Sequence, residues 1–212
     1  MTAQQLTVAF RLADFGAPMR SEPSRAAGRF HRSDQVEPTQ YACLHPLGPW
    51  AEYLRAHDLR EPEQVSFIRQ RVWALRVDLE PLTEVTFENA ELHGISPAAL
   101  VGRAYRPCQA LADRLRAEGA RGLMVPSAAL PGTKNIVLFG ARQSAPYLVD
   151  PVSLVDVPAS LTAERARPMR ALAEATRFRN IRAHPALRAA QHGKRFEFRE
   201  PPLVGLSSGR PG

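Results

Sequence analysis

Arg29, Tyr41 and Glu52 stand within about two dozen residues of one another, inside the stretch SRAAGRFHRSDQVEPTQYACLHPLGPWAE that ends on Glu52. Their types suit one kind of chemistry. A guanidinium fork matches the oxygens of a phosphate. A phenol ring stacks on a flat ring or hydrogen-bonds a sugar hydroxyl. A carboxylate stabilises positive charge as it develops in a transition state. Each residue also has an ordinary reading: an arginine in a surface ion pair, a tyrosine packed at a strand end, a glutamate exposed in the first turn of a helix. The rest of the chain has to decide between them.

The elements that must position the trio are legible as patterns. Residues 6–12 alternate loosely between apolar and polar types and read as a first strand, with Arg11 near its end. Residues 28–31 read as a short strand entered through small residues, where Gly28 lets the backbone approach a ligand closely. Residues 39–44 read as a second strand, with Tyr41 and Cys43 on one face and Ala42 and Leu44 on the other. Pro49 suits the first turn of a helix that carries Glu52. A further strand is expected over 71–79. A helical stretch follows over 97–118, which Pro107 interrupts into a short helix and a longer one from about Pro107, stopped at Gly119. The apolar runs 122–127 and 135–139 read as buried strands. Beyond them come a last short strand or two over 147–157, a helix over 162–175, helical pieces over 177–191 and an edge strand at Phe196–Phe198. Strands and helices do not alternate regularly, which points to an α+β fold.

Composition narrows the class. With 212 residues the chain can bury a full core, and 44% hydrophobic against 23% charged residues is ordinary for a globular protein. No apolar run reaches a membrane span, and the N-terminus lacks a charged and then apolar leader, so a cytoplasmic protein is expected. Nineteen prolines and thirteen glycines argue against a plain helical bundle. Cys43 and Cys108 lack the spacing of zinc ligands, the six histidines form no HExxH pattern, and no metal is assigned. A glycine-rich dinucleotide fingerprint is absent as well. The net charge of +7 is concentrated late: ten basic residues but only four glutamates fall between 160 and 200. Such a segment is either a solvated helix face or a surface for nucleic acid or an acidic partner.

Taken in order, the motifs resemble the RES-domain family. Phe10-Arg11 resembles its early aromatic-Arg pair, and Ala27-Gly28-Arg29-Phe30 its Gly-Arg-aromatic turn. Thr39-Gln40-Tyr41 resembles its strand ending in tyrosine, and Ala51-Glu52 its helix-borne Ala-Glu. Gln109-Ala-Leu-Ala-Asp113, then Gly119, Gly122-Leu-Met-Val-Pro-Ser127 and Asn135-Ile-Val-Leu-Phe139 complete the series. The Val-Pro-Ser and Asn-Ile-Val-Leu-Phe pieces are the most specific. The sequence departs from the pattern at His31, where the family has an asparagine, and at Pro49-Trp50, which crowd a helix start usually built from small aliphatic residues.

The resemblance implies an ADP-ribosyltransferase-like α+β fold, with two small packed β-sheets flanked by helices. It implies a catalytic domain over 1–160, which leaves 161–212 as a basic helical extension packed on it. It also implies a type II toxin that consumes NAD⁺ by cleaving the nicotinamide–ribose bond, as a glycohydrolase or phosphorylase. In that reading Arg29, Tyr41 and Glu52 are catalytic, and Arg11, Arg29, Tyr41, Ser127 and Asn135 bind NAD⁺. Ser127 lies between a buried strand and a loop; Asn135 has turn capping as its competing role. The implied partner is a cognate, DNA-binding Xre-like antitoxin; self-association is left open. Two other readings stand beside this one: transfer of ADP-ribose to a protein, and a non-catalytic binding module that uses the basic C-terminal segment.

Overall fold

The computed structural model describes residues 6–13, 18–20, 22–146, 156–176 and 183–200. Apolar alternation makes strands β1 (Leu6–Leu12) and β2 (Thr39–Cys43). Helices α1 (Gly48–Ala56) and α2 (Pro62–Val65) follow, then β3 (Gln70–Asp78) and the two-residue β4 (Thr83–Glu84). A 3-10 turn at Ala90–His93 leads to α3 (Pro97–Val101) and α4 (Arg106–Ala117). Proline sits at the first positions of both helices, where its missing N–H costs nothing. Pro107 therefore opens α4, and the stretch is a short helix followed by a longer one, as its sequence leads one to expect. Strands β5 (Gly122–Pro126), β6 (Lys134–Phe139), β7 (Gln143–Pro146) and β8 (Asp156–Ala166) come next, and then helices α5 (Arg170–Ala175) and α6 (Pro185–Gln191).

The fold is α+β, but among the described residues the strands form one eight-stranded mixed sheet, in the order β4-β5-β6-β2-β1-β3-β8-β7, and not two. Parallel pairing is confined to the edges, β4 with β5 and β7 with β8. The two expected sheets are joined because β1 pairs on both sides. Its seam with β3 is long, from Leu6↔Asp78 to Leu12↔Val72, whereas its seam with β2 is the single pair Phe10↔Cys43.

That one pair sets which side chains share a face. Opposed residues point the same way and neighbours alternate, so Tyr41, Cys43, Phe10 and Leu12 share one face while Ala9, Arg11 and Ala42 take the other. Over the first face lie two groups of helices. Helices α3 and α4 pack on Val125, Val137 and Phe139, whereas α1, α2 and α5 pack beside Leu12 and Val72. The opposite face holds a separate cluster of Ala9, Ala42, Trp73, Leu75, Ile136 and Leu138.

Several local expectations change. Residues 28–31 form a tight turn closed by the isolated bridge Gly28↔His31, not a strand. The helix expected over 162–175 is a strand to Ala166 and a helix only from Arg170, because pairing with β3 outweighs the helix preference of Leu161-Thr-Ala-Glu-Arg-Ala. β8 also carries the sheet past residue 160. Of the expected strand over 147–157, residues 156–157 open β8 and 147–155 lie outside the described residues, as do 177–182. Phe196–Phe198 is irregular. Phe198 instead packs its ring at 4.9 Å from His45, and the chain passes so close to Gly132 (φ +83°) that a side chain there would strike it. Arg165, Arg167, Arg170, Arg188 and Lys194 are exposed. Among the described residues no helix is long and apolar enough to cross a membrane.

Candidate active site

The two helix groups meet above β2 and β6, and Glu52 of α1 points into that junction. Because α1 begins at Gly48, Glu52 falls in its second turn rather than its first, so it is placed by packing more than by the helix end. Its Oε1 accepts two hydrogen bonds, from Ser127 Oγ at 3.1 Å and from Asn135 Nδ2 at 2.7 Å. Its other oxygen, Oε2, makes no hydrogen bond to a described residue. Asn135 reaches Glu52 from the second residue of β6, opposite Cys43. Burial first, and then the Glu52 charge, push the Cys43 thiol well up, so it stays protonated.

Ser127 is fully buried just after β5. Its hydroxyl also accepts the amides of Ala129 at 3.3 Å and Leu130 at 3.0 Å, which folds the following loop into a tight turn. Ser127 therefore shapes the site through Glu52 and its own backbone.

Arg29 projects from the turn at 28–31. A Cβ at Gly28 would run into the His31 ring and lie 2.9 Å from the Tyr41 hydroxyl, so glycine is what lets this turn close. The Arg29 Nη1 donates to the carbonyls of Gly102 at 2.6 Å and Leu100 at 3.4 Å, and the guanidinium lies 5.0 Å from the centre of the Tyr105 ring.

Arg55 links this corner to Glu52. It stands three residues after Glu52 on α1, hence on the same helical side. It donates to the Ala128 carbonyl and, at 3.0 Å, to that of Val101. Burial lowers its pKa first; Arg29 lowers it further and Glu52 opposes. Three consecutive carbonyls at the end of α3, Leu100, Val101 and Gly102, thus hold Arg29 and Arg55 together next to Glu52. Arg55 was not anticipated from sequence; its spacing from Glu52 was the available signal.

Tyr41 lies on the same face but spends its hydroxyl on the Arg29 turn. The oxygen accepts the Phe30 amide at 3.0 Å and lies 2.8 Å from His31 Nδ1. His31 Nε2 faces the Ala26 carbonyl at 2.8 Å and must donate there, so Nδ1 accepts from the phenol. Burial raises the Tyr41 pKa, and burial lowers that of His31. Both groups are neutral, and His31 fills the place of the expected asparagine as a brace.

Helix α4 clamps the same turn from outside. Gln109 Nε2 donates to the carbonyls of Gly28 at 3.0 Å and His31 at 3.1 Å, and Arg116 Nη2 donates to the Phe30 carbonyl at 3.0 Å. In the sequence Gln109 stands out only as a motif landmark.

Arg11 is not brought to this group. It lies on the other face of β1 opposite Trp73, where its Nη1 donates to Gln40 Oε1 at 3.1 Å and burial lowers its pKa to about 10. The parity of the Phe10↔Cys43 pair makes this placement, so Arg11, expected among the NAD⁺-binding residues, lies on the face of the sheet away from Glu52. No cluster of three or more metal-ligating side chains occurs among the described residues.

An α+β protein with one mixed sheet, a braced arginine and a carboxylate anchored from β6 is the class these features define. Residues 8–160 match the model of the RES domain, and the chain belongs to the RES-domain family. No curated protein matches the sequence. The fold is similar to that of a chain in the crystal structure of the M. tuberculosis MbcT–MbcA toxin–antitoxin complex. The TM-score is 0.57 at 16% identity, over 82% of this chain and 90% of that one.

Proposed function

We propose that this chain is a toxin that consumes NAD⁺ by breaking the bond between nicotinamide and ribose. The carrying observation is the Glu52 carboxylate, held at Oε1 by Ser127 and Asn135, beside the paired guanidiniums of Arg29 and Arg55. Cleavage of an N-glycosidic bond passes through an oxocarbenium-like state, in which positive charge grows on the ribose. Nicotinamide leaves as a neutral ring, so the reaction needs a fixed anion near the sugar more than a strong acid. Glu52 supplies that anion. Anchoring Oε1 fixes the carboxylate's direction and leaves Oε2 for a ribose hydroxyl. Arg29 and Arg55 supply positive charge for the diphosphate, Tyr41 keeps the Arg29 turn in shape, and Ser127 and Asn135 orient Glu52.

The likeness to a chain from a toxin–antitoxin complex supports a cognate antitoxin as partner. The test is to incubate purified, partner-free protein with NAD⁺ and follow free nicotinamide. Its release supports the reading, and the co-product identifies the acceptor as water, phosphate or protein. Intact NAD⁺ with a folded sample removes it.

A further inference from the structure

The family match ends at residue 160, yet a residue beyond it reaches the centre of the site. His184 is fully buried and caps the N-terminus of α6, its Nδ1 accepting the Leu187 amide at 3.2 Å. A cap needs only an acceptor, and a short side chain usually provides it. The imidazole extends further. With Nδ1 accepting, Nε2 carries the proton, and it lies 3.2 Å from the Ser127 carbonyl. The Phe87 ring stands edge-on at 6.0 Å and helps fix the plane of the imidazole.

Ser127 is thereby held at every polar group. Its amide donates to the Thr133 carbonyl at 2.9 Å, its hydroxyl joins Ala129, Leu130 and Glu52, and its carbonyl takes His184. Of these partners, His184 alone lies beyond residue 160.

We propose that His184 is a positioning residue, which sets the Ser127 turn and through it the Glu52 carboxylate, so that the C-terminal segment is a working part of the site. The catalytic half of this inference rests on the NAD⁺ reading above; the positional half does not.

Two substitutions separate a positioning role from capping alone. His184→Asn keeps an acceptor near the place of Nδ1, and so the cap, but its amide falls short of Ser127. His184→Gln places an amide donor near the place of Nε2 and weakens the cap. In the full chain, two quantities are measured: amide hydrogen exchange at Ala129 and Leu130, and kcat and KM for NAD⁺. The expected result is faster exchange in His184→Asn, with kcat lower by about tenfold and KM little changed, because a small misplacement of the carboxylate is felt mainly in the transition state. His184→Gln stays near wild type in both.

The opposite order, with His184→Asn normal and His184→Gln impaired, means that His184 only caps α6 and overturns the proposal. So does altered exchange with unchanged kcat in an active enzyme. If wild-type protein leaves NAD⁺ intact, the substrate reading fails by itself, and the exchange comparison alone decides whether His184 positions Ser127.

Discussion

Asn135 Nδ2 donates to Glu52 Oε1 at 2.7 Å, tying a residue of the central sheet to one on the helix above it. The Ser127 hydroxyl ends on the same oxygen. A carboxylate held in this way pays little reorganisation when charge develops beside it.

Glu52→Gln keeps the shape of this contact and removes its charge. NAD⁺ consumption is expected to fall on the order of 100-fold or more. The thermal midpoint should change little, since both hydrogen-bond donors to Glu52 can still find the amide oxygen. Nicotinamide release and a melting curve on the same sample check both halves; an active Glu52→Gln enzyme removes the role given to the carboxylate.

Asn135→Asp puts a second carboxylate against Glu52. The two carboxylates repel, and the amide donor that fixes Oε1 is lost, so NAD⁺ consumption is expected to fall on the order of tenfold or more. Nicotinamide release reads this effect, and an unchanged rate would mean that the Asn135 bond does not orient Glu52.

Gln109→Leu tests the brace on Arg29. It leaves the Gly28 and His31 carbonyls without their amide donor and is expected to cost about 2 kcal/mol in stability. A looser turn lets Arg29 wander, so KM for NAD⁺ should rise more than kcat falls. Denaturant unfolding and steady-state kinetics read the two effects separately.

Stability should depend on pH through the buried histidines. Burial, with Arg55 adding to it, pushes His184 down to about 4 despite the opposing bond to the Ser127 carbonyl. The folded pKa thus lies below the unfolded value, and protonation favours the unfolded chain. Stability is complete above pH ~6.5, falls between there and about 4, and then levels off, a loss on the order of 3 kcal/mol for this group. Burial lowers His31 in the same direction. Unfolding curves at several pH values should slope less in His184→Gln than in wild type across that window.

Much of the framework was legible from local pattern. Alternation marked β1 and β2, unbroken apolar runs marked β5 and β6, and prolines marked the starts of α1 and α4. The residues that now cluster around Glu52, namely Ser127 and Asn135, were picked out by motif order, although their contact with it could not be. The helix expected over 162–175 failed because its residues favour a helix locally, while their partner in β3 lies some ninety positions away, as in the Thr162 bond to the Val72 carbonyl.

By itself the sequence determined the periods, the breaks and the order of chemistry-bearing residues, because those depend on neighbours along the chain. The tertiary structure alone decided parity and reach. One pairing, Phe10↔Cys43, merged two sheets into one and sent Arg11 to the far face. Contacts spanning 81 and 57 residues brought Gln109 to the Arg29 turn and His184 to Ser127. No local preference encodes such contacts; they exist only once the helices have packed on a common face of the sheet.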